Sequence, residues 1–92
     1  MRRDERTQTR FLVELRPART EYDDIRLIGE RCREACARLD RDGTSVRLLR
    51  SVFIPEDGSC LLVYEAETAS AVADALAGAE LGATRVVEAI QA

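Results

Sequence analysis

Two runs of strand-forming residues, Ser45–Ile54 and Cys60–Glu65, meet at Pro55-Glu56-Asp57-Gly58, and this junction constrains the fold more than anything else in the chain. Proline presets φ and glycine accepts a positive φ, so the tetrapeptide reverses the chain tightly. Apolar runs joined in this way form a β-hairpin. A hairpin alone is marginal in water, so the flanking segments must supply further strands or a packed helix.

Each flank supplies a helix and a strand. Upstream, Ile25, Ile28, Cys32, Ala35, Cys36 and Leu39 recur at helical spacing between about Glu21 and Arg41, with arginines and acids elsewhere. Asp23 and Asp24 stand in the first turn, where the helix dipole favours acids, and Glu34 precedes Arg38 by four residues. Asp42-Gly43 closes this helix. Before it, residues 10–16 read as a strand that Pro17 ends. Downstream, Thr68 caps a second helix whose expected buried stripe is Ala69, Val72, Ala73 and Leu76, with Gly78 and Gly82 at its exit. Residues 84–90 form the last strand.

The order β-α-β-β-α-β predicts an α+β domain of the ferredoxin-like type, a four-stranded antiparallel sheet with two helices on one face. Ninety-two residues suffice for one domain. Residues 10–92 are expected to form it, and residues 1–9, which show no periodicity, read as a flexible N-terminal tail. Arg2, Arg3, Arg6 and Arg10 crowd that end, either as a solvated tail or as an arm that touches an acidic partner.

Composition then removes function classes. The chain has no histidine, lysine, asparagine or tryptophan. One chain therefore holds no Ser-His-Asp triad, Cys-His dyad, histidine metal cluster or Schiff-base lysine. A net charge of −3 gives no basic surplus for nucleic acid. No run approaches the ~20 apolar residues that span a bilayer, and no apolar stretch follows the charged N-terminus, so neither membrane insertion nor secretion is expected. Three cysteines are an odd number without the spacing of a disulfide framework, which points to a reducing, cytoplasmic setting.

With both helices on one side, the other face of the sheet is left bare. Alternation assigns side chains to the two faces. Phe11, Val13 and Leu15 suit the covered side and Leu12 and Glu14 the bare one. In the second strand Val46, Leu48 and Val52 are expected inward, with Arg47, Leu49, Ser51 and Phe53 outward. The third strand fits either parity; Leu61 and Val63 inward would turn Cys60, Leu62 and Tyr64 outward. In the last strand Val86, Glu88 and Ile90 go outward. A bare face this apolar exceeds what a monomer ordinarily exposes, which predicts a homodimer packed sheet against sheet. Glu14, Arg47, Tyr64 and Glu88 are then the expected polar groups of a ligand pocket between the sheets. Two convergent carboxylates there would raise each other's pKa or hold a cation; alternatively, Glu14 and Glu88 pair with arginines. Cys32 and Cys36 fall on the core stripe, where buried thiols act as small hydrophobes, and Cys60 is expected to be the more accessible one.

The stretches Phe11-Leu12-Val13-Glu14, Val46 to Ile54, and Val63-Tyr64-Glu65-Ala66 before an alanine-rich helix resemble a bacterial family of small ferredoxin-like domains of unknown function. That family includes a dimeric nickel-binding protein. The resemblance implies a ferredoxin-like subunit, a dimer and a nickel site, with Glu14 the matching position for a ligand; the chain departs from the family in having no histidine. Three functions remain open: a non-enzymatic dimeric module that binds a small ligand or metal ion, a small dimeric α/β-barrel enzyme of the cofactor-free oxygenase or cyclase kind, and a purely structural or interaction protein.

Overall fold

The computed structural model describes residues 8–82 and 85–89. Of the expected tail, residues 1–7 lie outside the described residues, as do Thr84 and Ile90 of the expected last strand. The elements follow the expected order: β1 (Thr9–Leu15), α1 (Tyr22–Arg41), β2 (Val46–Ile54), β3 (Ser59–Ala66), α2 (Ala69–Gly78) and β4 (Arg85–Ala89). The strands form one antiparallel sheet in the order β2-β3-β1-β4, and both helices lie on the same side of it. This is the ferredoxin-like arrangement.

The helix ends show how the chain starts and stops each element. Both helices finish in a Schellman motif. After α1, Gly43 donates to the Asp40 carbonyl at 3.1 Å and Thr44 to Leu39 at 2.9 Å, with Gly43 at φ 94°. After α2, Glu80 donates to Ala77 and Leu81 to Leu76, each at 3.0 Å, but here the left-handed position falls on Glu80, φ 61°. The glycines at 78 and 82 bracket this turn without taking its strained position. At the other end of α2 the Thr68 hydroxyl accepts from the Ala71 N–H at 3.1 Å, the expected cap. In the hairpin Gly58 takes φ 65° and donates to the Ile54 carbonyl at 3.0 Å.

Pairing fixes which side chains share a face, because residues opposite each other on antiparallel strands point the same way. On the helix side the rows are Leu48–Tyr64–Phe11–Glu88, Ser51–Leu62–Val13–Val86 and Phe53–Cys60–Leu15. On the open side they are Arg47–Glu65–Arg10–Ala89, Arg50–Val63–Leu12–Val87 and Val52–Leu61–Glu14–Arg85. Val13, Leu62 and Tyr64 are wholly buried, and Ile28, Cys32, Ala35 and Cys36 of α1 close over them.

Four expected orientations are corrected. Cys60, Leu62 and Tyr64 face the helices, so Leu61, Val63 and Glu65 take the open side. Leu48 pairs with Tyr64 and Arg50 with Val63, which leaves Leu49 as an extra residue. This bulge inverts the alternation beyond it: Phe53 packs against the core and Val52 turns to the open face, the reverse of simple alternation. In β4 the register with β1 puts Val87 and Ala89 on the open side and Val86 and Glu88 on the helix side. In α2 the buried residues are Ala71, Val72, Ala75 and Leu76, while Ala69 and Ala73 are exposed. A run so rich in alanine carries little periodic contrast, so packing decides which alanines are covered.

Candidate functional site

The open face has an apolar centre and charged margins. Val63, Leu12 and Val87 form a band across β3, β1 and β4, and Leu61 and Val52 extend it in the next row. All but Val52 are half-buried within the single chain. On one margin the Arg47 guanidinium donates to a Glu65 carboxylate oxygen at 2.7 Å. On the other, Glu14 stands opposite Arg85 and lies 3.6 Å from the Arg16 guanidinium, which also donates to the Asp57 carbonyl at 2.8 Å. Between band and margin, Leu12, Leu61, Val87, Glu14 and Arg85 line a shallow depression of ≈ 130 Å³.

The four residues expected to line one pocket are therefore not brought together. Glu14 and Arg47 share the open face, but they occupy its two outer rows, on strands separated by β3. Glu88 is exposed on the other side of edge strand β4, opposite Phe11. Glu14 and Glu88 thus project from opposite faces and form no carboxylate pair. Tyr64 is completely buried beneath the helices, because β3 takes the parity that keeps Glu65 in contact with water and Arg47.

Sequence reasoning missed Arg85, Leu61 and Val87 at the depression and Glu65 at the margin. Glu65 carried a usable signal. It is the one charged residue between Ser59 and Ala66, and a carboxylate is not buried under helices without a partner. That single charge assigns Leu61 and Val63 to the open side.

Tyr64 leads instead into a buried group of sulfur atoms. Cys32, Cys36 and Cys60 are all free and buried, Cys60 being only 1% exposed, which corrects its expected accessibility. The Tyr64 hydroxyl has no hydrogen bond of good geometry, although it interacts with the Cys32 thiol closely enough to affect both groups. Burial raises the pKa of each thiol and of the tyrosine. Cys36 is pushed up to about 11 by desolvation first and by Cys32 second. Neutral thiols are poor nucleophiles and poor metal ligands. Among the described residues no group of three or more histidine, cysteine or acidic side chains could hold a metal ion. Nickel, which favours imidazole, finds no fitting donor set in the described part of one chain.

These features define a small ferredoxin-like domain with a packed interior and a mixed, uncovered sheet face. No family model and no curated protein matches the chain. Among solved structures, that of SCO4226 from Streptomyces coelicolor A3(2) is similar with a TM-score of 0.71, covering 90% of this chain and 98% of that one at 18% identity. The likeness shows the fold. No helix among the described residues is long and apolar enough to cross a membrane.

Proposed function

We propose that the chain is a non-enzymatic homodimeric binding module whose open sheet face packs against a second copy and holds a small, partly apolar ligand between the two sheets. The observation that carries this reading is the band of Val63, Leu12 and Val87, with Leu61 and Val52 beside it, on a face that neither helix covers. A contiguous apolar patch flanked by ion-paired margins is the usual form of an association surface. A two-fold axis passing close to the Glu14–Arg85 depression would oppose its two copies and turn a shallow hollow into an enclosed one. An organic ligand suits it better than nickel, since each copy would contribute Glu14 and Arg85 over an apolar floor rather than a set of soft donors.

Native mass spectrometry of protein purified from its own host tests the reading in one spectrum. A dimer that retains a small molecule, lost on Glu14→Ala, supports it. A dimer with nothing bound and no response to Glu14→Ala would leave a purely structural association, and a monomer would remove the module altogether.

A further inference from the structure

A second cleft runs between α1 and the edge strand β2, on the helix side of the sheet, and shares only Arg47 with the margin of the face assigned to the dimer. Cys36, Ala37, Val46 and Leu48 give it an apolar floor, and its volume is ≈ 310 Å³, within the range of small-molecule pockets (roughly 300–1,000 Å³). A smaller hollow of ≈ 190 Å³, bounded by Ile25, Gly29 and Ser51, adjoins it. Arg33 lines both.

Arg33 is set apart from the other cation at the cleft. Arg47 is held by Glu65 at 2.7 Å, whereas Arg33 has no hydrogen bond or ion pair among the described residues. A glycine lies beneath it on the helix. Gly29 lies in the interior of α1 with no positive φ, and a glycine there costs about 1 kcal/mol relative to alanine. The three side-chain atoms nearest to where a Cβ at Gly29 would sit all belong to the Arg33 guanidinium, its closest nitrogen at 3.4 Å. The Arg33 head group thus lies over Gly29, at van der Waals distance from the position a β-carbon would take, so a bulky side chain there would displace it.

We propose that this cleft binds a small monocarboxylic acid with an apolar body, its carboxylate on Arg33 and its body over Cys36, Val46 and Leu48. Asp40 sets the polarity. It stands at the far rim, two turns or about 10 Å along the helix from Arg33. A second carboxylate at that end would meet like charge. The site therefore selects monoacids over diacids, and acids over alcohols of the same length.

Titration of the ¹⁵N-labelled full chain with decanoate, kept below its micelle concentration, reads the site directly. Saturable shifts are expected at residues 33–40 and 46–48. Decanedioate and 1-decanol should bind at least tenfold more weakly. Arg33→Gln should weaken decanoate at least tenfold with the melting temperature unchanged. Gly29→Leu, which fills the arginine's space, should weaken it comparably while the chain stays helical by circular dichroism. Absent shifts, shifts confined to Leu12, Leu61 and Val87, equal binding of 1-decanol, or undiminished binding by Arg33→Gln would each overturn the assignment.

Discussion

The two faces of the sheet come from the same strands and differ in how their charges are placed. On the helix side, Val13, Leu62 and Tyr64 are sealed under the apolar stripe of α1, and charge enters only at the rim, where Glu88 sits on the edge strand. On the open side, every row holds at least one arginine, and apolar side chains are collected into the middle. The centre of the first face excludes water within one chain, while Ser51 and Val86 at the ends of its middle row stay exposed. The second is only half closed, so a second surface has more to offer it. Stability is therefore expected to reside in one face and association in the other.

The most severe way to break that contrast is to remove matched leucines from the two sides of β3. Leu62→Ala opens a cavity in the buried row and should cost about 3 kcal/mol in urea unfolding. Leu61→Ala, one residue away on the open side, should cost the monomer less than about 1 kcal/mol. Equal losses would mean that the open face is a core surface already closed within one chain.

Raising the pH probes the same division chemically. The folded state holds the Cys36 thiol protonated up to about 11, whereas the unfolded chain releases that proton near 9. Between those values the unfolded state binds fewer protons, so stability falls as pH rises; below 9 the contribution is fully present. A loss on the order of 2 kcal/mol is expected from Cys36 between pH 9 and 11. Unfolding curves flat across that interval would show that the thiol is not sealed. Tyr64→Phe sharpens the picture with the smallest effect. It removes a buried hydroxyl that lacks a well-formed hydrogen bond, so stability should hold or rise by up to about 1 kcal/mol.

Much of this contrast is legible in the sequence, and the part that is not has a definite cause. The hairpin, both helices, the Thr68 cap and the inward set Phe11, Val13 and Leu15 follow from turn chemistry and periodicity, because each depends on neighbours in the chain. The site does not, because it depends on strand parity, and parity is lost wherever an apolar run reads alike on both sides. Cys60 to Tyr64 is such a run. Only Glu65, at its end, records which side faces water. In β2 the record is Arg47 and Arg50, three residues apart and so on opposite faces of a regular strand. Both reach the open side because Leu49 is inserted as a bulge between paired neighbours. In β4, Arg85 and Glu88 have opposite parity as well, and the register with β1 resolves them, placing Arg85 across from Glu14 and Glu88 at the rim of the helix side. The two glutamates once expected to converge are separated by the thickness of the sheet.

If the open face is an association surface, Leu12→Arg should abolish association. Leu12 occupies the middle of the apolar band, between Val63 and Val87, and contributes nothing to the sealed core. Light scattering coupled to size exclusion should return twice the chain mass of 10.3 kDa for the unmodified protein at micromolar concentration. The variant should return the single-chain mass with an unchanged circular dichroism spectrum. An unmodified protein that runs as a monomer, or a variant that remains dimeric, would contradict it.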